Sequence, residues 1–143
     1  MNRPSMSTLQ AAVPLTQTGL RDRLLARGYR EIDAQQLDAL AQDVPRLIVL
    51  PLDNPERFSE LADIMVILPE VLRQFPDGCF QVAFCNPASS AALCQRFSVY
   101  RHPALLFFHD GAHTGTLEGL MDWSDYLREF AAMLNKSPSK EPM

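Results

Sequence analysis

A proline directly precedes an apolar run that has the composition of a β-strand. In the stretch FSVYRHPALLFFHDG, Pro103 stands immediately before the five-residue run Ala104 to Phe108. Proline lacks the backbone N–H that a central strand donates to its neighbour. The run therefore lies either at the edge of a sheet or at a point where the ladder of hydrogen bonds is interrupted, and this restriction limits the folds that the rest of the chain can build.

Further strand patterns occur on both sides of this run. Arg46–Leu52 is a nearly continuous apolar segment rich in branched residues, which is typical of a strand buried on both faces. Phe80–Phe84 predicts the next strand, and Asp110-Gly111 predicts a tight turn into a last strand at Thr114–Leu120. We expect this last strand to pair with the run after Pro103 as an antiparallel hairpin.

Helical patterns separate these strands. Asp33 begins a capping-box pattern, and Asn86 followed by Pro87 is a favourable start for another helix. Apolar residues at helical spacing predict a helix that contains Pro69 and a final helix that starts at Asp122. Leu20, Leu24 and Leu25 predict a short first helix, and a short extended piece follows around Tyr29 to Ile32. The predicted order is helix, strand, helix, strand, helix, strand, helix, strand hairpin and closing helix.

The length and composition predict one folded domain. The chain has 143 residues, of which 47% are hydrophobic and 21% charged, and this is enough apolar material for one ordinary core. Residues 1–18 mix Ser, Thr, Gln and Pro without periodicity, and residues 135–143 are polar. We therefore expect two disordered tails around a domain at 19–134.

The charge and the cysteines argue against several classes of function. The formal net charge is -4 and the Lys and Arg residues are scattered, so nucleic acid is not an expected partner. The sequence shows neither a signal-peptide pattern nor an apolar run of membrane-spanning length, so membrane insertion is not expected. Cys79, Cys85 and Cys94 lack C-x-x-C spacing and suit neither a disulfide framework nor a zinc site. A reducing, cytoplasmic compartment is the expectation.

The order of elements resembles the thioredoxin fold, whose second half has a hydrophobic strand opened by a cis-proline, an Asx-Gly turn, a Gly-bearing strand and a final helix. The resemblance implies an α/β, thioredoxin-like single domain with a mixed central sheet flanked by helices. It also implies a cis His102–Pro103 bond that leaves the backbone of Arg101 and His102 unpaired, so that an extended peptide can lie against it. The alternative is an ordinary trans-proline on an edge strand.

The dithiol of thioredoxins is missing from this sequence. Thioredoxins carry C-x-x-C at the start of the second helix, a fixed distance before a helix proline. If Pro69 is that proline, the place of the dithiol falls on Leu61-Ala62-Asp63-Ile64, which contains no sulfur. Cys85 and Cys94 fit best as small buried hydrophobic side chains. A thiol-dependent oxidoreductase or peroxidase that uses a single cysteine is the alternative function.

Several sequence blocks together resemble the HyaE/HupG family of hydrogenase expression proteins. The blocks are LLARGY, LRQFPDG, FQVAF, RFSVYRHPALLFF and GTLEGLMDW, all within Leu20 to Leu134. The resemblance implies a non-catalytic chaperone, without a cofactor, in the maturation of a membrane-bound nickel–iron uptake hydrogenase. It further implies binding of the hydrogenase small-subunit precursor through its twin-arginine signal peptide, with other hydrogenase accessory proteins as further candidate partners.

A receptor for such a signal needs an apolar groove edged with carboxylates, because the signal has a cationic region followed by an apolar one. The segment that leads into the second helix of the thioredoxin pattern is acidic and should lie beside Pro103. A solvated loop, with Asp63 simply capping a helix, is the alternative. The histidines have no spacing typical of metal ligands, so no metal is expected. The candidate peptide-binding residues are Asp53, Glu56, Glu60, Asp63, Arg101, His102 and Pro103.

Overall fold

Helices and strands alternate along the chain in the predicted order. The structure is a computed structural model that describes residues 17–53 and 60–136. The helices are α1 (Gln17–Ala26), α2 (Ala34–Asp43), α3 (Glu60–Leu72), α4 (Pro87–Phe97) and α5 (Trp123–Asn135). The strands are β1 (Arg30–Glu31), β2 (Arg46–Pro51), β3 (Gln81–Cys85), β4 (Ala104–His109) and β5 (Ala112–Glu118).

The five strands form one mixed sheet in the order β1-β3-β2-β4-β5. β2 is parallel to β3 and antiparallel to β4, and β4 pairs with β5 as the predicted antiparallel hairpin. The apolar run after Pro103 is an interior strand, because Leu106 pairs with Val49 on one side and with Thr116 on the other. The edge-strand alternative for this run is therefore wrong.

Helices cover both faces of the sheet, so the central strands alternate between two cores. Ile48 and Leu50 of β2 face the core formed with α1, α3 and α5. Leu47 and Val49 face the opposite core, formed with α2 and α4. Each of these four side chains is at most 1% exposed. β2 is thus buried on both faces, as its continuous apolar sequence predicts.

Local sequence signals set where two helices begin. Asp33 Oδ1 accepts a hydrogen bond from the Gln36 N–H at 2.8 Å, and the Gln36 side chain accepts one from the Asp33 N–H at 2.9 Å, which completes the predicted capping box. Asn86 Oδ1 caps α4 by accepting the Ser89 N–H at 2.9 Å. Asp122 precedes α5 but makes no side-chain capping bond.

The β4–β5 turn is tighter than predicted. Asp110 and Gly111 have φ angles of 50° and 89°, a conformation that these two residue types tolerate in two-residue hairpin turns. β5 consequently starts at Ala112, ahead of the predicted Thr114. It ends where Gly119, with a φ of 77°, turns the chain out of the sheet.

Leu25 and Trp123 are among the large apolar side chains that remain outside the cores. Leu25 of α1 is 40% exposed, and Trp123, the first residue of α5, is 46% exposed. Helical spacing aligns Trp123 with the buried Tyr126 and Phe130, but as the first residue of α5 it stays largely in solvent.

The predicted N-terminal tail overlaps the first described helix, because α1 begins at Gln17. Residues 1–16 and 137–143 lie outside the described part of the chain, and the domain boundaries stay a prediction. None of the described helices combines the length and the apolar character needed to cross a membrane.

Candidate functional site

The acidic candidate Asp53 and the Pro103 loop meet at one edge of the sheet. β1, β2 and β3 are parallel, so their carboxyl ends lie at the same edge, and antiparallel β4 begins there. The His102–Pro103 peptide bond is cis, as predicted. Asp53 follows β2 and places its Oδ2 atom 3.5 Å from His102 Nε2. This side of the molecule is termed the carboxyl edge.

His102 is a largely buried imidazole. Its side chain is 11% exposed. Burial lowers the pKa of His102 below the ordinary value of 6.5, while the Asp53 and Glu118 carboxylates act in the opposite direction. The imidazole is therefore neutral at physiological pH and does not cancel the negative charge of the carboxyl edge.

Glu118 holds the loop before the cis-proline. Its Oε1 atom accepts the backbone N–H of Tyr100 at 2.8 Å and that of Arg101 at 2.9 Å. The Gly119 N–H donates to the Pro103 carbonyl at 2.8 Å, which joins the same loop to the end of β5. The expectation that the Arg101 backbone is unpaired is wrong, because a side chain takes the place of a neighbouring strand.

The Arg101 side chain lies over the turn that follows β5. A Cβ atom at position 119 would come within 2.8 Å of Arg101 Nη2, and the positive φ of Gly119 also disfavours other residues there. The guanidinium of Arg101 is thus placed beside this turn.

The structure brings together only some of the predicted acidic residues. Asp53 is half-buried against His102. Glu60 and Asp63 are exposed on the first turn of α3, three residues apart and therefore on one face of the helix. Glu56 lies outside the described residues. No cluster of three or more metal-binding side chains occurs within 17–53 and 60–136.

Exposed apolar side chains flank the Pro103 loop. Tyr100 is 83% exposed, Leu120 40% and Trp123 46%. These three lie on the segments before Pro103 and after β5, which the Glu118 and Gly119 hydrogen bonds hold together. Sequence periodicity missed Tyr100 and Leu120, because an exposed apolar residue in a loop has no repeat around it, and it assigned Trp123 to the buried face of α5.

A small depression adjoins Asp53 at the carboxyl ends of β2 and β3. Its volume is about 140 Å³. Leu20, Leu52 and Pro87 supply its apolar lining, and Asp53 lies among them. The depression can accept one small apolar side chain next to a carboxylate.

Apolar residues occupy the place of the thioredoxin dithiol. Leu61 and Ile64 of α3 are 0% and 1% exposed and belong to the core. Burial raises the pKa of the Cys85 thiol to about 12, with smaller contributions from Asp33, Cys94 and Glu31. Both positions that a redox pair would take at the start of α3 are therefore buried.

The other two thiols are also kept protonated. Burial is the main cause that raises the pKa of Cys79, although Arg46 opposes it. Burial, followed by the Asp53 and Glu118 carboxylates, raises the pKa of Cys94. These shifts are opposite to the one that makes a cysteine nucleophilic.

The chain is similar to hydrogenase expression proteins. The profile of the family described as Hydrogenase-1 expression protein HyaE matches residues 20–126. The hydrogenase expression/formation protein HupG of Bradyrhizobium diazoefficiens is 31% identical, over 84% of this chain and 82% of that protein. The hydrogenase expression/formation protein HoxO of Azotobacter vinelandii is 33% identical, over 75% and 71%. HoxO of Cupriavidus necator is 37% identical over 62% of this chain. The match covers 56% of the length of that relative.

The fold is similar to that of solved thioredoxins. A mutant thioredoxin from Halobacterium salinarum NRC-1 has a TM-score of 0.57 and 17% identity, over 76% of this chain and 93% of that one. Mitochondrial thioredoxin 3 from Saccharomyces cerevisiae has a TM-score of 0.55 and 13% identity, over 75% and 94%. At these identities the likeness concerns the fold alone, and it confirms the predicted thioredoxin-like architecture.

Proposed function

Because this chain belongs to the HyaE family of hydrogenase expression proteins, we propose that it acts in hydrogenase maturation as a chaperone without catalytic activity of its own. The proposed client is the small-subunit precursor of a membrane-bound nickel–iron uptake hydrogenase, bound through its twin-arginine signal peptide. The observation that carries the proposal is the composition of the carboxyl edge, where Asp53 contacts the Pro103 loop and the segments that flank this loop carry exposed apolar side chains.

The cationic part of the signal would bind the acidic side of this edge. Asp53 follows β2, and Glu60 and Asp63 lie on the first turn of α3. Glu56 belongs to the same acidic segment of the sequence. Carboxylates bind the planar guanidinium of arginine through two parallel hydrogen bonds. A signal with two adjacent arginines would therefore bind these side chains more tightly than a signal with a single positive charge would.

The apolar part of the signal would lie along the Pro103 loop. Tyr100, Leu120 and Trp123 offer aromatic and aliphatic surface there, and the loop is already ordered by Glu118. A preordered loop costs less conformational entropy when a peptide binds. Arg101, His102 and Pro103 would then lie beside the bound peptide.

Two features support the proposal that the protein is not catalytic: the residues at the start of α3 and the pKa values of the thiols. A thioredoxin-like oxidoreductase needs an exposed thiolate, whereas Leu61 and Ile64 are buried and all three thiols have raised pKa values. A single-cysteine oxidoreductase is the competing function, favoured only by the similarity of the fold to thioredoxins.

We place this function in the cytoplasm, because a precursor that still carries its signal peptide has not yet been exported. Other hydrogenase accessory proteins are further proposed partners. Neither nucleic acid nor a membrane is required for the proposed role.

A titration of labelled signal peptide tests the acidic surface. The variant Asp53→Asn, Glu56→Gln, Glu60→Gln, Asp63→Asn should bind several-fold more weakly than the unchanged protein at low salt. Because exposed charge pairs are screened over about 8 Å at physiological ionic strength, high salt should reduce the affinity of the unchanged protein towards that of the variant.

A charge-matched variant is the control for this titration. It carries four equivalent neutralising substitutions elsewhere on the surface: Asp22→Asn, Asp38→Asn, Asp43→Asn and Asp125→Asn. We expect a twin-lysine signal to lose less affinity than a signal with neutral residues at both positions, since lysine keeps the charge but not the fork. Equal affinities of both variants and the unchanged protein at both salt concentrations would refute binding at the acidic segment.

A further inference from the structure

A second surface lies at the opposite edge of the sheet from the carboxyl edge. There the end of α1, the end of α3 and the start of β3 border an open groove of about 460 Å³. Half-buried Tyr29, Leu72 and Phe80 line it together with exposed Arg27 and Arg73. This surface, with the depressions that adjoin it, is termed the basic groove.

Arginines concentrate around this groove. Arg30 lines an adjoining depression that also includes Arg27 and Tyr29. Arg23 lines another, which again includes Arg27. Among the residues that the structure describes, Arg23, Arg27 and Arg30 form no ion pair. In a chain with a formal net charge of -4, this surface is a local excess of positive charge.

Two further groups in the groove are available to a carboxylate. Arg73 pairs with Glu70 at 3.3 Å, but both side chains are well exposed, and an exposed pair of this kind is weak and exchangeable. The Tyr29 hydroxyl makes no hydrogen bond to any residue in the described ranges. Burial raises the pKa of Tyr29, with Arg27 opposing, so the hydroxyl keeps its proton and can donate it in a hydrogen bond. The residues that line the groove also include one carboxylate, that of Asp77.

Apolar surface continues from the groove along α3. Val66 is 68% exposed, and with Met65 it lines the depression that contains Arg23 and Arg27. Positive charges and apolar side chains therefore alternate over one continuous surface. A ligand that matches it carries negative charges on either side of an apolar group.

We propose that the basic groove binds an acidic segment of a partner protein in which carboxylates flank at least one apolar side chain. The guanidinium groups match carboxylates in charge and geometry, while Tyr29, Phe80 and Val66 provide contact for the apolar group. A nucleic acid fits less well, because its phosphates need a broad basic face and here Glu70 and Asp77 interrupt the positive charge.

The basic groove and the carboxyl edge can be occupied at the same time. β1, β2 and β3 separate them, since the groove borders the start of these parallel strands and Asp53 follows the end of β2. The proposal does not depend on the client of the carboxyl edge, because it rests on different residues and a different charge.

An NMR titration of the isotope-labelled full chain with the peptide Ac-EELFEE-NH2 tests the groove. We expect shifts in the backbone amides of Gly28, Tyr29, Gly78 and Phe80. The variant Arg27→Gln, Arg73→Gln should weaken binding about fivefold or more, because each exposed charge pair contributes a fraction of the binding free energy. The charge-matched control Arg96→Gln, Arg128→Gln should bind with the affinity of the unchanged protein.

Three comparison ligands decide whether the recognition is specific. We expect Ac-QQLFQQ-NH2 and Ac-KKLFKK-NH2 to leave the groove amides unshifted, and a single-stranded oligonucleotide of equal charge to bind more weakly than the acidic peptide. The proposal is overturned if the neutral peptide or the oligonucleotide binds as well as Ac-EELFEE-NH2. It is also overturned if the acidic peptide shifts no groove amides or weakens equally in both variants.

Discussion

At the scale of single residues, Glu118 is the side chain that orders the Pro103 loop. Replacing Glu118 with Ala removes the acceptor of the Tyr100 and Arg101 N–H groups. We expect a loss of unfolding free energy of about 1 kcal/mol, because both donors can turn to water at this partly exposed site. Glu118→Gln keeps a neutral oxygen and should lose less.

Urea denaturation and hydrogen exchange measure this effect. The exchange of the Tyr100 and Arg101 amides should accelerate in the Ala variant, while amides in the middle of β2 should change only in proportion to global stability. Unchanged exchange at both loop amides would show that Glu118 does not hold the loop in solution.

Two histidines should make the protein less stable in mild acid. Burial is the main cause that lowers the pKa of both His102 and His113 below 6.5, and Lys136 lowers that of His113 further. Above the unfolded value of 6.5 this stability is fully present. As the pH falls below 6.5 and through the lowered pKa values, the unfolded chain binds protons more readily than the folded chain does. The unfolding free energy therefore decreases.

The measurement is denaturant unfolding at pH 7.5 and at pH 5.5. We expect the decrease between these pH values to be smaller in His102→Gln and smaller again when His113→Gln is added. The double variant is compared with itself at the two pH values, so the cost of losing the His113 contact with Thr116, at 2.8 Å, cancels. An equal decrease in the unchanged protein and the double variant would contradict the assignment to these histidines.

The residues of the carboxyl edge differ in how far sequence alone could predict them. The contact of Asp53 with the Pro103 loop follows from topology, because the end of β2 and the start of β4 share one edge. Glu118 could not be predicted, since it binds amides 18 and 17 residues earlier in the chain and no local pattern marks the contact. Tyr100 was missed because its exposure depends on where the loop turns.

At the scale of elements, the two aspartates that begin helices should differ in their contribution to stability. Asp33 accepts a hydrogen bond from Gln36 at 2.8 Å, whereas Asp122 makes no side-chain capping bond. We expect Asp33→Ala to lower the unfolding free energy by about 1 kcal/mol. Asp122→Ala should cost less, because only its charge near the helix end is lost.

Thermal or urea denaturation of both variants checks this difference, with Asp33→Asn as the control that keeps an acceptor. A larger loss in Asp122→Ala than in Asp33→Ala would mean that the capping bonds do not decide helix stability here.

The bounds of elements were predicted where a local signal exists. The capping box of α2 and the Asn86 cap of α4 need only neighbouring residues, and both are present as predicted. The start of β5 was misplaced, because the Asp-Gly turn occupies only positions 110 and 111 and pairing resumes at Ala112. The start of β5 depends on how β5 pairs with β4, and no short stretch of sequence specifies that pairing.

At the scale of the whole molecule, we expect no thiol-dependent turnover. The purified protein should not accelerate insulin reduction by dithiothreitol, because its thiols have raised pKa values and buried Leu61 and Ile64 stand where thioredoxins carry the dithiol. A thioredoxin assayed in parallel is the positive control. The variant Cys79→Ser, Cys85→Ala, Cys94→Ala should still support hydrogenase maturation in cells.

The result that would contradict this prediction is turnover above the uncatalysed rate. Loss of maturation in the cysteine-free variant would do the same, provided that circular dichroism shows it to be folded. Either outcome would favour the single-cysteine oxidoreductase.

The overall architecture could be predicted because its central strands have unambiguous sequences. The continuous apolar run of β2 indicates burial on both faces, and Pro103 places an interruption before β4. Strand order is less local, because periodicity does not say that β3 lies between β1 and β2, and it was not predicted. The basic groove was not predicted, because Arg73 stands far from Arg27 and Arg30 in the sequence and joins them only after folding.

The placement of acidic and basic residues at opposite edges gives the described part of the molecule an electric dipole. The proposed client, with two adjacent arginines, would enter this field at a distance of about 10 Å and turn while it still diffuses. Orientation gained before contact accelerates encounter but adds little to the lifetime of the complex. Added salt should therefore slow capture of the proposed client far more than it hastens release, so the dipole would govern how quickly a new precursor is bound.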